Sequence, residues 1–138
     1  MDYPYYLTPD GRELHKAETS MHHAIFERCA YKTPTEKKFR EMGGMTIRLG
    51  NHQHKELHAH VPPPPKPNPD LMRDIYLHGR RTPYEGYVDL FGQIVEYVAL
   101  VALGGSQHAE EAHKLHENLV AQQHFIDQGA VVMVRKAA

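Results

Sequence analysis

The chain has 138 residues, 41% of them hydrophobic and 24% charged, and a formal net charge of −1 with histidine neutral. That length supports one domain with a proper core and excludes two full ones, and a charge so near zero names no partner by itself. A single cysteine, Cys29, excludes an internal disulfide and a Cys-rich zinc site, whereas twelve histidines are the one compositional anomaly.

Met1 to Leu7 is neither basic nor followed by an apolar run, so no signal peptide is expected. With the lone cysteine, this assigns the chain to a reducing cytoplasm. Residues 1–20 read as an N-terminal arm: Tyr3, Tyr5, Tyr6 and Leu7 in an extended segment, the turn signal Thr8-Pro9-Asp10-Gly11, then a polar stretch able to hold a short helix. From Met21 to Tyr31, the residues Ile25, Phe26, Cys29 and Tyr31 suggest a strand, or a strand running into a bend, with Cys29 buried. Thr33-Pro34-Thr35-Glu36 predicts a helix start, with Thr33 at the N-cap, Pro34 next and Glu36 completing a capping box. Gly43-Gly44 ends that short helix. Met45 to Leu49 is β-leaning, Gly50-Asn51 predicts a turn, and Asn51 is the expected N-cap of a helix through His60. Met42, Met45 and Met72 read as core fillers.

Residues 61–69, Val61 to Pro69, predict an extended, stiff linker between the histidine-rich segment and a helical subdomain over 70–138, because proline fixes φ and lacks an amide donor. Asn68-Pro69-Asp70 predicts a helix to His78, stopped by Gly79, with Arg80-Arg81 in the following turn. Thr82-Pro83-Tyr84-Glu85 repeats the capping box and opens a long helix to Leu103, on which Tyr87, Leu90, Phe91, Ile94, Val95, Val98 and Val101 form an apolar stripe. Asp89, Gln93 and Glu96 interrupt it, so this is a packed helix and no membrane span. Gly104-Gly105-Ser106 leads into another helix ending at Gly129, with Leu115, Leu119, Val120, Phe125 and Ile126 inward. The short turn predicts an antiparallel helical hairpin, whose apolar face packs on the same core or serves a homodimer. Ala130 to Val134 predicts a final strand. Glu110-x-x-His113 matches one element of a di-iron bundle, but no second copy accompanies it, and His108, His113, His116 and His124 read as polar helix-face residues.

Six of the twelve histidines lie between His22 and His60. His54 and His58 are four residues apart, so on a helix both rings leave one face and could hold a single divalent metal. The His22-His23 pair is the obvious source of a third ligand. Neighbours on a strand point to opposite sides, so one of the pair would ligate unless a bend turns the other towards the same site.

Residues 21–60 carry a resemblance to the HNH, or ββα-metal, nucleases. The run Met45-Thr46-Ile47-Arg48-Leu49-Gly50-Asn51-His52-Gln53-His54-Lys55-Glu56-Leu57-His58 has the length of that family's second half, with Leu49, His54 and His58 in register. His22-His23 is similar to the adjacent pair of the bacterial DNase toxins, and Gly43-Gly44 precedes the second strand. The resemblance implies an α+β fold in which a ββα-metal unit over 21–60 is followed by the helical hairpin, as in phage and mobile-element members. It implies His22, His54 and His58 as metal ligands, His23 as the general base that takes a proton from the attacking water, and a divalent Mg, Mn, Ni or Zn ion as cofactor. In this register Met45 stands where the family has the Asn that orients the base, and Gly50 and Gln53 stand at its zinc-knuckle cysteines.

Seven basic residues, Arg28, Lys32, Lys37, Lys38, Arg40, Arg48 and Lys55, face only Glu36 and Glu41 in this segment. Lys37, Lys38, Arg40, Arg48 and Lys55 are the expected nucleic-acid contacts, with DNA the expected partner. The leading reading is a metal-dependent HNH-type DNA endonuclease. Its alternative is a catalytically inactive relative that binds DNA or a protein partner, such as a phage-encoded inhibitor or accessory factor. A third is a structural helical protein whose histidines cluster by coincidence.

Overall fold

A computed structural model of the chain describes residues 2–66, 68–81 and 87–137. Its N-terminal arm is ordered by hydrogen bonding. Thr8 and Gly11 close a tight turn, Thr8 N donating to Arg12 O at 2.9 Å and Gly11 N to Thr8 O at 3.0 Å. That turn folds β1 (Asp2–Leu7) onto β2 (Glu13–Leu14), and β1 pairs on its other edge with β5 (Val132–Ala137), all antiparallel. The chain's two ends therefore share one sheet, in the order β2-β1-β5. A single turn of 3-10 helix, Lys16–Glu18, leads out of it.

A second antiparallel sheet pairs β3 (Thr19–His23) with β4 (Thr46–Gly50). Ser20 lies opposite Leu49 and His22 opposite Ile47, so these side chains share the inward face, while Met21 and Arg48 share the other. The strand ends in a bend after His23, leaving Ile25 and Phe26 buried, and a 3-10 turn spans Arg28–Ala30. Cys29 in that turn is exposed, contrary to the expected burial, because the bend turns it outward. The intervening helix α1 (Pro34–Phe39) has the full capping box: Glu36 N donates to Thr33 Oγ1 at 3.1 Å and Thr33 N to Glu36 Oε1 at 3.3 Å.

β4 runs into α2 (Asn51–His60) with no intervening turn. Gly50 is the N-cap, and Asn51, expected there, is the first helical residue, its amide donating to Ala17 O at 2.9 Å. Residues 61–66 do not stand clear of the body: Val61 is buried, and Pro62 O accepts from Asn118 Nδ2 at 2.8 Å. Asn68 Oδ1 then caps α3 (Pro69–Arg81), accepting from Asp70 N at 2.8 Å. Gly79 is buried within α3 and does not stop it; a Cβ there would lie 2.4 Å from Met42 Cε, so this glycine admits a neighbour. Arg80 and Arg81 belong to the last turn of the same helix.

The Thr82-Pro83-Tyr84-Glu85 box lies outside the described residues. α4 (Tyr87–Leu103) and α5 (Ala109–Gly129) pack against each other, and α5 also packs on α2. Leu90, Phe91, Ile94, Val95 and Val98 are buried on α4, and Ala112, Leu115, Leu119 and Ile126 on α5. Val120, expected inside, is 48% exposed because it falls outside that stripe. One apolar cluster runs from Ala24 through Ile47, Leu57 and Ile75 to Leu119 and Ala130, so 21–60 and 70–138 share a core. The exit from α5 is tied to β4, Val131 N donating to Arg48 O at 3.1 Å. The class is α+β, and no described helix is long and apolar enough to cross a membrane.

Gly44 and Gly11 both have φ of +91°, but a Cβ at Gly44 would lie 3.0 Å from Leu90 Cγ, whereas nothing lies within 4 Å at Gly11. Gly44→Ala should therefore lower the unfolding free energy by about 1–3 kcal/mol more than Gly11→Ala, the excess being overpacking. Urea unfolding of the two variants checks this; equal losses would contradict the contact.

Candidate metal centre

The i, i+4 spacing on α2 places His54 and His58 side by side, their ring centroids 4.7 Å apart and their Nε2 atoms 2.9 Å apart. The alternation of β3 sends His22 to the same place, with ring centroids 5.0 Å from His54 and 5.4 Å from His58. Among the described residues these three form the one group of His, Cys, Asp or Glu that could hold an ion, each offering a ligand atom within 4.8 Å of the others. Nitrogens ligating one tetrahedral ion at about 2.0–2.1 Å stand about 3.3 Å apart, close to the 2.9 Å between His54 and His58 Nε2.

Burial grades the three. His22 is 4% exposed, His54 is half-buried and His58 is exposed. Loss of hydration lowers the His22 pKa to about 4, with His54 and His58 adding to the shift and the hydrogen bond to Gln122 opposing it. His54 is lowered chiefly by burial, then by His58 and His23. Both rings are therefore neutral at pH 7, the state in which imidazole ligates. The donor set fits a divalent ion. Two of the three rings have an outer partner: His54 Nδ1 lies 2.6 Å from Ser20 Oγ, and His22 Nε2 lies 2.7 Å from Gln122 Oε1 on α5.

These histidines line a cleft of about 320 Å³ whose other walls include Met21, the acidic Glu27 beside Arg28, Leu57, and Val61 to Pro64. His23 lines it too, half-buried at the end of β3 where the strand bends. Its pKa is lowered first by burial, then by the charges of Arg28 and Arg40. The expected nucleic-acid contacts are not gathered here. Lys37 and Lys38 are exposed on α1 and Lys55 on α2, all outside the cleft lining. Arg40 is half-buried, with its charge near His23 and Tyr31. Arg48 is on the far face of the hairpin, donating to Thr19 Oγ1 at 3.0 Å and lying 5.0 Å over the Tyr6 ring.

Met45 is fully buried, and its carbonyl accepts from Ala24 N at 3.0 Å, which holds the bend after His23. Arg28 belongs to the basic set read from the sequence but not to its expected contacts, and Ser20, Asn118 and Gln122 carry no site expectation there. For Asn118 and Gln122 a signal exists: they are polar and four residues apart within the apolar stripe Leu115, Leu119, Ile126. A larger groove of about 680 Å³ between the β1–β2 turn and the start of α2 includes Asp10, Glu18 and Asp127, but among the described residues no three such groups gather there as His22, His54 and His58 do.

Comparison of the chain with protein-family models, curated proteins and solved structures finds no match.

The depressed pKa of His22 makes stability depend on pH. Its folded value of about 4 lies below the ordinary 6.5, so between these the unfolded chain binds the extra proton. Stability is then full above about 6.5 and is lost as pH falls towards 4, by on the order of 3 kcal/mol. His23 and His54, also lowered, act in the same direction. Urea unfolding in chelator should show this fall, with a shallower slope for His22→Asn; equal slopes would show that His22 is not held neutral.

Proposed function

We propose that this protein is a divalent-metal-dependent endonuclease of the HNH type that hydrolyses phosphodiester bonds in DNA. The observation that carries the reading is the convergence of His22, His54 and His58 on a cleft that also admits His23 and Arg28. The order β3, β4, α2, with the adjacent pair at the end of the first strand and His-x-x-x-His on the helix, suits a ββα-metal unit. His22, His54 and His58 would hold the ion. A divalent Mg²⁺, Mn²⁺, Ni²⁺ or Zn²⁺ bound there supplies charge neutralisation at the phosphate and stabilises the leaving oxygen. An all-imidazole set favours Zn²⁺ or Ni²⁺ over Mg²⁺.

His23 accepts the proton of the attacking water on a ring nitrogen. Burial and the neighbouring Arg28 and Arg40 keep that ring neutral, hence able to accept, at pH 7. Arg28 offers a charge to the phosphate inside the cleft, and the exposed Lys37, Lys38 and Lys55 offer weaker, screened contacts to a backbone passing outside it.

A second reading is an HNH-like protein that holds the ion and binds DNA or a protein partner without cutting. It is favoured by the surroundings of His23: among the described residues no side chain hydrogen-bonds its ring, and the position of the family's orienting Asn is filled by the core residue Met45.

Plasmid nicking with each of the four metals separates the two. In the first reading His23→Ala lowers the cleavage rate about 100- to 10,000-fold with metal affinity kept, and His58→Ala lowers the affinity itself. The acid limb of the wild-type rate profile lies below pH 6.5, and Arg40→Gln moves it up. Metal binding without nicking under any of these ions would select the second reading.

A further inference from the structure

We infer that Gln122 and Asn118 are positioning residues: a relay of two buried amides on α5 that decides which nitrogen of His22 is offered to a metal. The inference rests on the reading of His22, His54 and His58 as a metal site.

The direction of the relay follows from its ends, which are both backbone carbonyls and can only accept. At one end Pro62 O, 2.8 Å from Asn118, requires the amide nitrogen Nδ2 there, so Asn118 Oδ1 faces Gln122. At the other end Ala24 O, 2.8 Å from Gln122, requires the amide nitrogen Nε2. The second hydrogen of that nitrogen goes to Asn118 Oδ1 at 2.7 Å. Both hydrogens of Gln122 are thus committed, and only Oε1 is left for His22 Nε2, at 2.7 Å. An oxygen with no hydrogen needs a donor, so Nε2 of the neutral ring carries the proton. The lone pair of His22 is then on Nδ1.

Reversing the relay would set oxygen against oxygen at both carbonyls. His22, Asn118 and Gln122 are 4%, 8% and 1% exposed, so little water is available to repair such a mismatch. The same two amides hold Ala24, where the chain bends after His23, and Pro62, where the proline wall of the cleft begins. One device sets the ligand nitrogen and steadies two walls of the site.

A purely structural role is the competing account, since Ala24 O and Pro62 O each need a donor. Two readouts separate them. In metal-free wild-type protein, long-range ¹⁵N–¹H correlation spectra should show His22 as the neutral Nε2–H tautomer. Titration with Zn²⁺ or Co²⁺ should then show one equivalent bound, an affinity about 10- to 100-fold weaker in Gln122→Met, and recovery of most of that loss in Gln122→Glu. Glutamate keeps an acceptor for His22 but loses the donors to Ala24 and Asn118, so a structural role predicts no recovery.

The Nδ1–H tautomer in the wild type, equal affinity in Gln122→Met, or a Glu variant no better than Met would each overturn the inference. If Gln122→Met or Gln122→Glu does not fold, the wild-type tautomer alone decides. A wild type that binds no metal removes the metal reading and the positioning role with it. A wild type that binds, with Gln122→Met unaffected, removes the relay alone.

Discussion

The hydrogen bond between His22 and Gln122 joins residues 100 apart in the chain and is buried where β3, α2 and α5 meet. A buried imidazole is costly to charge and needs a partner for its polar atoms. Gln122 supplies that partner, while its amide nitrogen satisfies the carbonyl of Ala24 at the bend after β3. Moving the hairpin relative to α5 would leave several dry polar groups unpaired at once, each costing about 1–3 kcal/mol. The apolar contacts of Ile47, Leu49 and Leu119 bring these layers together. The polar pair adds a directional constraint on their alignment, and with it on the place of His22 beside α2.

The same burial sorts the histidines into two populations. His22, His23 and His54 have lost enough hydration to stay neutral at pH 7, as ligands and proton acceptors must. His60 and His113 instead sit on helix surfaces beside Glu56 and Glu117, four residues away, in exposed pairs that contribute little. Hydration separates one basic residue from another in a similar way. Arg28 reaches the cleft, Arg48 is spent on Thr19 and Tyr6 across the hairpin, and Lys37 and Lys38 remain in solvent.

Parts of this arrangement were legible residue by residue. The Thr33 to Glu36 box formed as its spacing predicted, because both of its hydrogen bonds lie within four residues. His54 and His58 meet because helical periodicity alone brings them together. Local rules failed where a distant contact intervened. Gly79 reads as a helix stop, yet α3 continues through it to Arg81, and the missing side chain leaves room for Met42. Asn51 reads as a cap, yet its amide is drawn to Ala17, and Gly50 takes the boundary. The prolines of 62–65 read as a spacer, yet a carbonyl among them has a buried amide partner on α5.

The sequence by itself determined the short-range geometry: helices and strands near their expected places, the α+β class, two imidazoles on one face of α2, and an inward–outward alternation at His22-His23. Those features depend on spacings of two to four residues, where backbone geometry leaves few choices. Only the tertiary structure decided that His22 meets His54 and His58, that Arg28 and not Arg48 faces the cleft, and that Gln122 and Asn118 stand behind the site. Those depend on how the hairpin docks between α2 and α5, which is set by burial and hydrogen bonding summed over the whole core.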